Sequence, residues 1–221
     1  KERAAVSQRY FKTGKGEYGE GDIFIGLTVP QSREIAKKYK EISFEEVEEL
    51  LQSKIHEERL ISLYMLVFKF KNDAKKVFDF YLKNTKYVNN WDLVDSSAHL
   101  IVGEYLVDKP RDLLYSLARS QNLWEKRIAI IATFQFIRKN QFEDTIKIAG
   151  ILMSDKHDLI HKAAGWMLRE MGKKSEKTLL EFLNRHAQKM PRTMLRYSIE
   201  KLSPEMRIRY MSNKNPLLAP K

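Results

Sequence analysis

The chain has 221 residues, 43% of them hydrophobic, and carries 40 Lys plus Arg against 29 acids, a formal net charge of +11. That is enough apolar material for a real core in one elongated or one to two compact domains, and the basic balance favours a polyanionic partner, nucleic acid ahead of a membrane surface. The absence of Cys excludes a disulfide framework, a thiolate metal site and a Cys nucleophile, and the longest apolar run, residues 128–137, is far short of the roughly 20 residues that span a bilayer.

Nothing at the start resembles a signal peptide, so a soluble, cytoplasmic, monomeric protein is expected. Because the chain opens at Lys1 rather than Met, residues before it are expected to be missing. A short helical pattern runs from Glu2 to Lys12 and ends in Arg9-Tyr10-Phe11. Residues 12–22 then form a Gly-rich loop in which Gly14, Gly16 and Gly19 make a formal G-x-G-x-x-G match. A dinucleotide fingerprint needs a strand before it and a helix opening after it. Here a helix precedes and more loop follows, so a flexible basic loop near the ligand is expected instead.

From Val29 onward the pattern is helix after helix. Pro30 suits a first helical turn. Ser43 and Glu46 have capping-box spacing, and Asp108-Lys109-Pro110 and Ser203-Pro204 each close one helix and open another. No window alternates with period two, so the chain is all-α. Residues 213–221, with two prolines and no periodicity, read as a tail after a single domain over 1–212.

The helices also recur. Residues 50–64, 117–131 and 151–166 each show an apolar helix end, a Ser, a polar turn, then a cation leading into an apolar helix. Arg59, Arg127 and Lys162 fall at one or two multiples of roughly 35 residues, the length of a two-helix repeat, and such repeats stack into a curved solenoid. Equivalent positions would then line one concave surface. A row of cations there suits a phosphate backbone, with Arg127 ranked first for its planar fork and Lys162, Arg169, Lys173, Arg192 and Arg196 behind it.

The gap in that spacing holds Asn89-Asn90-Trp91-Asp92-Leu93-Val94-Asp95, a helix start. Trp91 and Asp95 are four residues apart and share a face. An indole beside a carboxylate can serve chemistry on a cationic centre; the plainer alternative is a core Trp and a solvated first-turn acid. Asp92 is expected to cap the helix. His157 and His161, with Asp155 and Asp158 nearby, have no H-E-x-x-H pattern and no third ligand, so neither a metal nor another cofactor is expected. His99 and Trp124 read as structural, and the aromatic stretches 64–70 and 78–81 as core.

Three segments resemble the AlkD-type DNA glycosylases of the HEAT-like-repeat DNA alkylation repair family. They are Trp91-Asp92-Leu93-Val94-Asp95-Ser96, Leu123-Trp124-Glu125-Lys126-Arg127-Ile128-Ala129 and Lys162-Ala163-Ala164-Gly165-Trp166-Met167-Leu168-Arg169-Glu170. The resemblance covers roughly residues 1–205. It implies an α-solenoid of HEAT-like repeats that holds duplex DNA on a basic concave face and removes positively charged N3- or N7-alkylated purines. It matches Asp95 to the family's catalytic carboxylate, Trp91 and Trp166 to its two aromatic contacts at the lesion, and Arg127, beside Lys126, to its backbone-holding cation. Tyr10 matches a family tyrosine less closely, because the loop after it is longer. Asn90 stands where the family has a second Trp. A rival reading from another class is a non-catalytic helical-repeat scaffold that binds nucleic acid or protein.

Overall fold

The computed structural model describes residues 2–212, and the tail expected at 213–221 lies outside them. Among the described residues the regular structure is helical, joined by one isolated parallel bridge between Ile23 and Ile55. The chain divides into two compact units, Lys1–Tyr105 and Leu106–Lys221, each with its own core.

The first unit contains α1 (Glu2–Tyr10), α2 (Val29–Lys38), α3 (Phe44–Leu51), α4 (His56–Lys69), α5 (Ala74–Lys83) and α6 (Trp91–Ala98). Local chemistry sets most of the boundaries. Thr28 and Gln31 form a capping box ahead of Pro30, and Ser43 and Glu46 form another. Each such cap satisfies main-chain donors that a helix start leaves orphaned, worth about 1 kcal/mol. Helix α4 is the axis of the unit: α2, α3 and α6 all pack on it. Its Leu60, Leu63, Met65 and Leu66 are buried, as are Leu93 and Val94 of α6.

Helix α6 does not run straight into the next turn. Ser96 and Ser97 both donate side-chain hydrogen bonds to the Leu93 carbonyl, at 3.3 and 2.5 Å. Such back-bonding bends helices, and a π turn follows at His99–Gly103 before α7 (Glu104–Leu106). The buried hydroxyl of Tyr81 meets Ser97 Oγ at 3.0 Å and fixes this stretch against α5.

The second unit contains α8 (Asp112–Ala118), α9 (Leu123–Arg138), α10 (Glu143–Leu152), α11 (Asp158–Lys174), α12 (Glu176–His186), α13 (Arg192–Ser198) and α14 (Pro204–Met211). Helix α11 is central: α9, α10, α12 and α13 all pack against it. Gly165 permits its close approach to α13, because a Cβ there would lie 2.5 Å from the Met194 carbonyl oxygen and 2.6 Å from Tyr197 Cβ. The recurrence read from sequence is a recurrence of packed helix pairs: α3 with α4, α8 with α9 and α10 with α11. The turns share a device as well. Ser53 Oγ accepts from Ile55 N–H at 3.0 Å, and Ser120 Oγ from Asn122 N–H at 2.9 Å. In the third turn Asp155 takes that role toward His157 N–H, at 2.7 Å.

Candidate nucleic-acid site

In the first unit, Asn90 precedes α6 with extended backbone and its side-chain oxygen accepts from Trp91 N–H at 2.8 Å. Trp91 and Asp95 follow one turn apart and both are half-buried. Tyr10, 64% exposed, meets the Trp91 ring edge-on with centroids 5.9 Å apart. The structure thus gathers Tyr10 and Trp91, with Asp95 one turn along the same helix face.

Behind the indole lies a column of rings. Phe11 stacks on Trp91 at 5.0 Å and 8°, and Phe24 stacks on Phe11 at 4.9 Å and 23°. The His56 imidazole stacks on Phe24 at 4.4 Å. His56 is the first residue of α4 and is 1% exposed. Its Nδ1 lies 3.0 Å from Asp22 Oδ2, and its Nε2 lies 2.8 Å from Asp92 Oδ2. Arg59 Nη2 meets the other oxygen of Asp22 at 2.7 Å. Burial pushes the His56 imidazole down, but the hydrogen bonds to Asp22 and Asp92 outweigh it and hold the group above its ordinary value. Burial raises Asp22, yet His56 and the Arg59 guanidinium hold its carboxyl below the usual range.

This cluster corrects three expectations. Asp92 does not cap α6; Asn90 does, and the Asp92 carboxylate reaches across to α4. Arg59 is not a surface cation in a phosphate row: it is 4% exposed and paired inside the unit, since a buried guanidinium needs a counter-charge. The Gly-rich loop is not loose. Its main chain is tied back through Gly19 N–H to the Lys12 carbonyl at 3.0 Å and through Gly16 N–H to Glu20 at 2.8 Å. Gly19 lies so close to α1 and the α6 cap that a Cβ would sit 2.4 Å from the Phe11 carbonyl oxygen. The loop ends in buried Asp22, and the next residues are bolted to α4. Glu57 accepts from Ile25 and Gly26 N–H at 3.1 and 2.8 Å, and His56 N–H donates to the Ile23 carbonyl at 2.8 Å.

In the second unit the expected residues gather around α9 and α11. Arg127 is 5% exposed and its Nη1 donates to the Leu159 carbonyl at 2.6 Å. Lys126 pairs with Asp155 at 2.6 Å. On α11, Lys162, Trp166, Arg169 and Lys173 follow at spacings of three or four residues and share a face. Lys162 pairs with Asp158 at 2.7 Å. Trp166, half-buried, has its ring 6.2 Å from Phe134 and donates Nε1–H to Glu170 at 3.2 Å. Arg169 pairs with Glu170 and Glu200, and Lys173 with Glu170. Arg192 and Arg196 are exposed on α13, with Arg192 Nη1 reaching the Met211 carbonyl at 3.1 Å.

The two histidines considered for metal binding have other partners. His157 Nδ1 accepts from Leu159 N–H at 3.2 Å, and His161 Nε2 meets the Asp155 carbonyl at 2.7 Å. The residues that the sequence reading missed are Asp22 and His56. A His opening an apolar helix, ahead of two acids, was the available sign.

No helix of the described residues is long and apolar enough to cross a membrane. The fold is similar to that of a solved structure described as a predicted DNA alkylation repair enzyme from Enterococcus faecalis. The two are 16% identical, with a TM-score of 0.71, over 92% of this chain and 96% of that one. At that identity the likeness speaks to fold alone. A comparison with curated proteins returns no match. A family model described as DNA alkylation repair enzyme matches residues 1–202. That match spans nearly the whole sequence, including every helix named above except α14, and the chain belongs to the DNA alkylation repair enzyme family.

Proposed function

We propose that the protein is a DNA glycosylase that hydrolyses the N-glycosidic bond of positively charged N3- or N7-alkylated purines in duplex DNA, acting as a cytoplasmic monomer. The observation that carries the reading is the pairing on α6 of a half-buried carboxylate with an indole one turn away, in a family of DNA alkylation repair enzymes. The net charge of +11 suits a polyanionic substrate.

An alkylated purine of this kind already carries positive charge. When the bond from C1′ to the purine nitrogen breaks, the electron pair stays with the base, which leaves neutral and needs no general acid. The developing charge sits on the deoxyribose as an oxocarbenium ion. Asp95 stabilises that cation electrostatically, and it accepts the proton of the water that adds to C1′ to give an abasic site. The indole face of Trp91 adds cation–π attraction to the sugar, about 0.5–2 kcal/mol for a good contact, and Trp166 is proposed as the second unit's aromatic contact with the DNA. Lys126 holds the DNA backbone, with Tyr10, Lys162, Arg169, Arg192 and Arg196 as further backbone contacts, so that the lesion sugar stays at the carboxylate. Arg127, 5% exposed and bonded to the Leu159 carbonyl, must give up that contact to join them. Arg59 is not among them, because it is committed to Asp22.

The test is release of 7-methylguanine from methylated duplex DNA by wild type and by Asp95→Asn. The expected result is a loss of roughly 100-fold or more in single-turnover rate, the scale of one preorganised electrostatic contact, with duplex affinity nearly unchanged. Wild type that binds duplex DNA but releases no alkylated base would replace this reading with the scaffold.

A further inference from the structure

We infer that His56 is a positioning residue for α6: clamped between Asp22 and Asp92, it fixes the helix start that presents Trp91 and Asp95. The inference rests on the glycosylase reading for its catalytic consequence and on geometry for the clamp itself.

Both ring nitrogens of His56 face carboxylate oxygens, at 3.0 and 2.8 Å. A neutral imidazole has one N–H and one lone pair, and a lone pair facing a carboxylate is repulsive. While both acids are ionised, only the doubly protonated ring serves both. Charge counting agrees. The charged groups facing the ring are Asp22 from the loop, Asp92 from α6 and Arg59 from α4 itself; the end of α1 presents Phe11, and the segment after the loop presents Phe24. With His56 as imidazolium, two cations balance two anions. With His56 neutral, the buried cluster carries an excess negative charge, which a low-dielectric interior resists.

The clamp reaches the reaction site by two routes. Along the polar route, Asp92 is the residue after Trp91 and lies three residues before Asp95. Drawing its carboxylate to α4 sets the rotation and height of the first turn of α6. Along the apolar route, the ring column from His56 through Phe24 and Phe11 ends on the face of Trp91. Asn90, the α6 cap, is tied to the same anchor: its Nδ2 donates to Asp22 Oδ2 at 3.4 Å. His56 touches no substrate in this arrangement and acts through Asp92 and Trp91. Deprotonation of His56 releases Asp92 and lets the first turn of α6 drift. That predicts an alkaline limb in the base-release rate. A cationic alkylguanine can itself lose its N1 proton on the alkaline side, so the limb is assigned to His56 by its shift in Asp92→Asn and not by its presence alone.

The test combines NMR titration of the full-length protein with single-turnover base release across pH, for wild type and Asp92→Asn. The His56 ring should titrate above 6.5, its ordinary value. The Trp91 indole N–H should report the same midpoint, and the alkaline limb of base release should follow it. In Asp92→Asn, loss of one flanking charge should move both the ring midpoint and the limb down by about one unit or more. The rate below the limb should be largely retained, because the amide oxygen of the substituted side chain still accepts from the ring. A second variant, His56→Gln, should remove the limb at a uniformly reduced rate. A His56 midpoint at or below 6.5, a Trp91 signal blind to it, or a limb unmoved by Asp92→Asn would overturn the proposal. If ring and indole titrate together but wild type releases no base, the catalytic half of the inference falls with the glycosylase reading.

Discussion

The turns before α4 and α9 look alike in sequence, and they hold their cations in different ways. In the first turn of α4, Arg59 is sealed in and paired with Asp22, a carboxylate contributed by the Gly-rich loop. At the start of α9, Lys126 keeps part of its surface in water and pairs with Asp155 in the next turn, while Arg127 bonds the Leu159 carbonyl and ties α9 to α11. The first arrangement anchors a loop to a helix; the second links one helix pair to the next. A repeat fixes where a side chain leaves the backbone. What that side chain meets is decided by the connecting segment, and among the described residues only the first unit has a long loop to bring in a carboxylate.

The largest way to sharpen this contrast is to remove the matching acids. Asp22→Ala leaves a buried guanidinium and a buried imidazolium without their shared partner, and breaking such a pair costs about 3–5 kcal/mol. Asp155→Ala removes a partner of a partly exposed lysine and a main-chain contact, and should cost about 1–2 kcal/mol. Urea unfolding of the two variants measures the difference. Equal losses would erase the distinction between the two turns.

A smaller effect separates loop packing from loop charge. Gly19→Ala introduces a methyl group against the Phe11 carbonyl, where main chain has little room to move, and should destabilise by about 1–3 kcal/mol. Gly16 has a positive φ but open space around it, so Gly16→Ala should cost less, of order 1 kcal/mol from the backbone alone. Thermal unfolding of the pair ranks them, and the opposite order would show that the loop is not packed where Gly19 lies.

pH tests the cluster without mutation. The folded-state value of Asp22 is depressed, so its contribution is present above 3.8 and is lost as pH falls through the lower folded value. The folded-state value of His56 is raised, so its contribution is full below 6.5 and is lost as pH rises through the higher folded value. Together they should give the first unit its widest margin between those two limits. Hydrogen exchange of the α4 and α6 amides should report a decline on either side. In Asp22→Asn the acid-side decline from this residue should disappear.

Much of the fold was legible because helix boundaries are local. Pro30, Ser43 with Glu46 and Ser203 act within one turn, and the structure uses each as its residue type suggests. The same-face pairing of Trp91 with Asp95 was legible for that reason too. The anchor beneath them was not, because His56 finds Asp22 and Asp92 at sequence separations of 34 and 36 residues, and no local pattern marks which distant acid will fold back. Arg59 was misread by the same logic. Its place in the repeat was correct, and its partner came from a loop outside the repeat.

The smallest expected effect concerns the exposed cations of the second unit, where a surface role and a structural role make different demands. Arg196 is exposed on α13, so Arg196→Gln should leave urea unfolding unchanged within about 0.5 kcal/mol. If it holds a phosphate, the plot of log affinity for duplex DNA against log salt should flatten by about one unit of slope, with affinity reduced similarly for damaged and undamaged duplexes. Arg169, tied to Glu170 and Glu200, must give up part of those pairs to engage a phosphate, so Arg169→Gln should lower stability slightly while flattening the slope less. A slope change at Arg169 as large as at Arg196 would mean that its ion pairs yield to DNA at little cost. The paired face of α11 would then serve binding as readily as the open one on α13.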